Sequence, residues 1–142
     1  MKNLLGIGQA ACNVVSQLSQ YPVYNCYYIS NEIDRTTKFK FALPSQEGPE
    51  KYEEMSFVKL HKWIGKIEKQ CTIIINGGSD SSAISLRALE RLHKKGVIMD
   101  VVYFMPEVEL LSEVKTLHER SVRGILQNFA RSGLFDKIFL VS

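Results

Sequence analysis

Apolar and polar positions follow one another in blocks whose period switches between two and 3.6 along the chain. Residues 3–7, NLLGI, make a short apolar run with a glycine near its end, after which Val14, Val15, Leu18 and Tyr21 recur at helical spacing. Residues 22–29 (PVYNCYYI) and 38–43 (KFKFAL) are tyrosine-rich or alternating and are bounded by the turn-prone SNEID and PSQEGP, as strands are. From Glu50 to Gln70, positions 57, 60, 64 and 67 keep a 3-4-3 spacing with Pro49 at the expected first turn, which predicts a long helix. Residues 71–75 (CTIII) are continuously apolar and β-branched, the pattern of a strand covered on both faces. Ile84, Ala88, Leu89 and Leu92 predict the next helix, closed by Gly96; residues 97–105 a strand; Val122, Ile125, Leu126 and Phe129 a helix ending near Gly133; residues 137–141 a last strand.

Strands alternating with helices of this length predict an α/β fold: a three-layer, Rossmann-like parallel sheet of about six strands with helices on both faces. The expectation is one domain over residues 1–142, with no second domain. Ligands of such a sheet bind beyond the carboxyl ends of the strands, where strand order reverses. The loops that matter are then residues 8–13, 30–34, 44–49, 76–82 and those from Pro106 onward.

Two of these loops carry chemistry. Gly6-Ile7-Gly8 followed by Gln9, Ala10 and Asn13 has the strand, glycine turn and helix order of a phosphate loop, although Ala11 stands where a dinucleotide fingerprint has its third glycine. Gly77, Gly78, Ser79, Asp80, Ser81 and Ser82 crowd hydroxyls and a carboxylate at a helix start. Backbone N–H groups and serine hydroxyls there can hold a phosphate, aided by the helix dipole; equally, Asp80 or Ser81 can cap the helix. Asp80 weighs against a bare phosphate, because a carboxylate about 4 Å from a phosphate oxygen is repelled by about 4 kcal/mol at an effective dielectric near 20. A Mg²⁺ held between them by Asp80 reverses that sign. Acidic residues dominate the other loop tips too (Glu32, Asp34, Glu47), with Arg35 and Lys38 the nearest cations in sequence.

Charge and composition narrow the classes. A net charge of +3 with basic residues dispersed among glutamates gives no nucleic-acid stripe, and the interrupted N-terminal apolar stretch suits neither a signal peptide nor a membrane span. The three cysteines, Cys12, Cys26 and Cys71, lack zinc spacing and sit among apolar residues, the pattern of buried thiols in a reducing cytoplasm. His61, His93 and His118 fall in helical stretches among charged residues, as solvated surface histidines do, and no G-x-S-x-G elbow is complete.

In order and spacing the loops resemble the nucleotide-binding half of the tubulin and FtsZ superfamily. Gly6 to Asn13 is similar to its glycine-rich first loop, Gly8-Gln9-Ala10 to the tubulin form of it, and Ser30-Asn31-Glu32 to its second loop. Gly48-Pro49-Glu50 is similar to its third loop, and residues 77–82 to its G-G-T-G-S-G signature, with Asp80 and Ser82 in place of glycines. The resemblance implies a nucleotide site formed by Gly8, Gln9, Ala10, Asn13, Asn31, Gly77, Gly78, Ser79, Asp80, Ser81 and Ser82. It also implies a guanine-reading helix, a water-activating acid and a second domain, none of which can be assigned to residues of this chain. The expected function is therefore a structural or assembly module with a degenerate nucleotide site and no hydrolytic machinery. Such a module works without a cofactor through protein partners or self-association, in the cytoplasm or as part of a virus or phage particle. The alternative is a switch that binds GTP or GDP with Mg²⁺ and controls self-association.

Overall fold

The computed structural model describes residues 2–46, 51–52, 56–79, 81–107, 109 and 111–141. Six strands, β1 (Lys2–Ile7), β2 (Tyr24–Ser30), β3 (Lys40–Ala42), β4 (Gln70–Asn76), β5 (Ile98–Phe104) and β6 (Lys137–Val141), form one sheet in the order β3-β2-β1-β4-β5-β6 with every pairing parallel. Between them run the helices α1 (Gln9–Leu18), α2 (Val58–Ile64), α3 (Ser82–Lys94) and α4 (Glu113–Arg131), and residues 51–52 are helical as well. This is the α/β Rossmann-like sheet that the alternation predicts.

Strand pleating divides the core in two. Leu5 and Ile7 of β1, Ile73 and Ile75 of β4 and Val101 and Tyr103 of β5 point to the face covered by α2, α3 and α4, where Leu60, Ile64, Ile84, Leu89, Val122 and Leu126 meet them. Leu4 and Ile74 point to the other face, against Ala11 and Val15 of α1. Ile73, Ile74 and Ile75 are all buried, as a doubly covered strand requires. The two faces are unequal. Right-handed crossovers place helices on one face while the chain steps toward β3 and on the other while it steps toward β6, and the β2-to-β3 connection, residues 31–39, contains no helix. Among the described residues α1 is thus alone on its face.

Three expectations are corrected. The helix expected over residues 50–70 is, among the described residues of its second half, only Val58–Ile64: Gly65 and Lys66 turn the chain, Lys69 takes a positive φ of 70°, and Gln70 already belongs to β4. Ile67 kept the helical spacing because it fills the core from that turn, fully buried. At its expected start, Pro49 and Glu50 lie outside the described residues and residues 51–52 are helical. Tyr21 lies beyond the end of α1 and is 51 % exposed, and Ile125, on the expected core stripe of α4, is 39 % exposed. No helix among the described residues is long and apolar enough to cross a membrane.

Candidate functional site at the strand-order reversal

The sheet reverses direction between β1 and β4, so their carboxyl ends open the crevice in which a parallel sheet binds ligands. The two glycine turns singled out in the sequence meet there. Gly8 has φ 93°, donates to Ile29 O (2.8 Å) and accepts from Cys12 N (2.9 Å), so the chain leaves β1 and enters α1 within one residue. Gly77 donates to Phe104 O (2.9 Å), and Gly78 has φ 81°. The turns approach closely: a β-carbon on Gly8 would lie 3.2 Å from Ser81 Oγ and 3.6 Å from Ser79 Oγ. Those two hydroxyls are 2.9 Å apart.

Ser81 stands at the start of α3 but its side chain does not cap the helix; the hydroxyl turns to Ser79 and Gly8 instead. Gly8, at the start of α1, supplies no side-chain cap either. Neither Gly8 nor Ser81 thus caps its helix with a side chain, and the positive ends of the two helices lie close together. Ser82 is buried and its Oγ lies 3.4 Å from His118 Nε2, so His118 is half-buried rather than freely solvated; His61, half-buried, stacks on Phe57, and His93 is exposed. Asp80, on which the metal assignment depends, lies outside the described residues.

Gln9, Ala10 and Asn13 belong to the first turns of α1 rather than to a loop, and all three are exposed. Gln9 Nε2 donates to Asn13 Oδ1 (3.0 Å), and Ser30 Oγ donates to Gln9 Oε1 (2.9 Å) while accepting from Glu32 N (3.1 Å). Asn31 is not part of this chain of bonds; its Nδ2 donates to Tyr52 Oη (3.4 Å). Ser30, not Asn31, ties the second loop to the first. A cavity of about 200 Å³ beside α1 is lined by Gln9, Asn13, Tyr28 and Lys40 among others. Lys40 is the cation that sequence distance concealed: β3 is far along the chain but two strands from β1, and its lysine reaches over the Tyr28 ring (5.9 Å).

Beneath Gly77 lies a polar cluster that the sequence did not mark. Tyr103, fully buried, donates to Glu119 Oε1 (3.1 Å), and Arg123 Nε holds the same oxygen at 3.2 Å. Glu119 is 2 % exposed, at the center of the face of α4 that packs on the sheet. Its i,i+4 spacing to Arg123 was the available signal, but that spacing is equally common on solvated helices.

Burial favors the protonated form of the thiols. Cys12 donates to Ile29 O (3.4 Å) and Gly6 O (3.5 Å), and burial pushes its pKa up to about 11; burial raises Cys71 and Cys26 as well. Burial, then Glu119, also raises Tyr103. All of these groups keep their protons longer in the folded chain than in the unfolded one. Their contribution is therefore complete below the unfolded-state pKa and is lost as pH rises above it. The free energy of unfolding from urea titrations should hold to about pH 9 and then fall, by up to about 1.4 kcal/mol per pH unit for each buried thiol, with Tyr103 adding to the slope above pH 10. Cys12→Ala should flatten the profile between pH 9 and 11.

No family model and no curated protein matches the chain. What the site can do rests on its own geometry.

Proposed function

We propose that the chain is an assembly module: a Rossmann-like domain that associates with copies of itself through the β6 edge of its sheet, with a nucleotide crevice in reduced form. One observation carries this reading. Among the described residues, the edge strand β6 exposes three consecutive large apolar side chains, Leu140 on the face that α4 covers and Phe139 and Val141 on the opposite face. The opposite edge is closed by its own chain. Lys40 and Ala42 of β3 donate outward to Thr37 Oγ1 (3.2 Å) and Thr36 Oγ1 (3.0 Å), and Lys40 O accepts from Thr37 N (2.7 Å). Soluble proteins blunt edges they do not use. A blocked β3 beside an apolar β6 is what directional association through β6 calls for. The resemblance of the loops to the tubulin and FtsZ superfamily of assembling proteins points the same way.

Sedimentation velocity of the full chain without nucleotide tests it. Concentration-dependent oligomers are expected, with Phe139→Lys weakening association at least about tenfold and Val23→Lys, at an equally exposed site elsewhere, leaving it unchanged. A monomer at every concentration overturns the reading.

A second reading, a GTP or GDP switch with Mg²⁺, is favored by the starts of α1 and α3, which the side chains of Gly8 and Ser81 do not cap and which meet at the reversal point. Thermal unfolding with GTP, GDP, ATP or buffer, each with Mg²⁺ or EDTA, separates the two. A ligand at 100 times its Kd stabilises by about 2.7 kcal/mol, several degrees in a domain of this size. A guanine-selective, Mg²⁺-dependent shift supports the switch; the assembly reading expects none.

A further inference from the structure

A cavity of about 1000 Å³ lies at the β3 side of the sheet, away from the crevice and from the β6 edge. It lies between β3 and α2, lined by the exposed Pro44 and Val58, the nearly buried Phe41 and Trp63, and Lys59, Lys62 and Lys66. We infer that this groove docks an acidic amphipathic helix of a partner protein, whose apolar stripe enters the groove while its carboxylates meet the lysines. The inference stands apart from the assembly reading, since it concerns the opposite edge of the sheet.

The charge asymmetry specifies an acidic partner. Among the described residues no carboxylate pairs with Lys59, Lys62 or Lys66. Lys66 instead lies over the Trp63 ring (4.6 Å) and donates to Lys38 O. Burial, then the neighboring Lys38, lowers its pKa. On α3, Arg91, Lys94 and Arg87 add to the effect of burial on His61 of α2, with Glu90, which pairs with Arg87, opposing them. An acidic ligand relieves this repulsion and gains steering from it.

The geometry selects a helix over other acidic partners. An extended peptide would bind by adding a strand to β3, but the outward backbone groups of Lys40 and the N–H of Ala42 are already bonded to Thr36 and Thr37. A single-stranded nucleic acid would need exposed ring faces on which bases stack, whereas Phe41 and Trp63 are 6 % and 8 % exposed and Lys66 covers the indole. A helix needs neither; it presents side chains to a groove, and Lys59 and Lys62, one turn apart on α2, match carboxylates at the same spacing on an opposing helix.

The test uses a fluorescein-labelled helical peptide with leucines at i, i+3, i+4 and i+7 flanked by glutamates, with a glutamine-for-glutamate version as control, read by anisotropy and by the emission of Trp63, the sole tryptophan. The acidic peptide should bind saturably and shift Trp63 emission, the glutamine version at least about tenfold more weakly. Lys59→Glu with Lys62→Glu, both exposed positions that leave the fold intact, should weaken the acidic peptide about tenfold, and Val58→Ser should weaken it with unchanged salt dependence. Equal binding of the two peptides, or no effect of the double reversal, overturns the proposal. So does an oligothymidylate probe that binds more tightly than the peptide through the same two lysines.

Discussion

Gly77→Ala should destabilise the protein by about 3 kcal/mol and lower its thermal midpoint by roughly 10 °C, without any loss of charge or hydrogen-bonding groups. The reason is steric. A β-carbon at position 77 would overlap Tyr103 Oη, come within 2.6 Å of its Cζ, and stand 2.9 Å from Phe104 O. Tyr103 is fully buried and held by Glu119, and Phe104 O accepts the Gly77 amide hydrogen, so neither can yield without breaking a bond of its own. Adding Tyr103→Phe removes the nearest of these atoms and should recover part of the loss, leaving a coupling of at least about 1 kcal/mol in a double-mutant cycle. Denaturant titration of the four proteins measures it. A Gly77→Ala variant within about 0.5 kcal/mol of the parent would show that the loop is not seated on Tyr103. The glycine is thus accounted for by the residue beneath it as well as by any ligand above it.

That double accounting explains how far the sequence could be read. The element order was legible because apolar periodicity reports burial directly: runs such as residues 71–75 have only one buried geometry, and the strand–glycine–helix joints at Gly8 and Gly77 followed from backbone reach alone. Periodicity failed where burial and secondary structure part company. Ile67 is buried from a turn, and Ile125 keeps the spacing of a core residue while standing 39 % exposed. Polar partners were the least legible part. Ser30 meets Gln9 across 21 positions and Lys40 joins the first loop by way of β3, contacts fixed by sheet order and not by local pattern. Thr36 and Thr37, unremarkable in sequence, close an entire sheet edge.

α4 connects the two regions to which function is assigned. Its first half reaches the crevice through His118 and, by way of Glu119 and Tyr103, through the floor of Gly77. The same helix exposes Val114, Leu117 and Ile125 and packs on β6. On the proposed reading, a ligand that moved Gly77 would press on the helix that borders the proposed interface.

Glu119→Ala tests that link and should cost about 3 kcal/mol. It strands the Tyr103 hydroxyl in a fully buried position, a loss of about 1–3 kcal/mol, and removes side-chain packing at a position 2 % exposed. Arg123, about a quarter exposed, finds water and adds little. Glu119→Gln keeps an acceptor for Tyr103 and should cost about 1 kcal/mol. Tyr103→Phe combined with Glu119→Leu removes both polar partners and should return close to the parent, because a buried pair replaced by apolar groups of similar shape leaves nothing unsatisfied. Urea unfolding gives the magnitudes, and hydrogen exchange gives the location: in Glu119→Ala the Gly77 amide, bonded to Phe104 O, should exchange faster than the amides of β1. Uniform acceleration across the sheet would mean that Glu119 supports the core at large; acceleration confined to residues 77–79 and α4 would show that this buried carboxylate holds the turn to the helix.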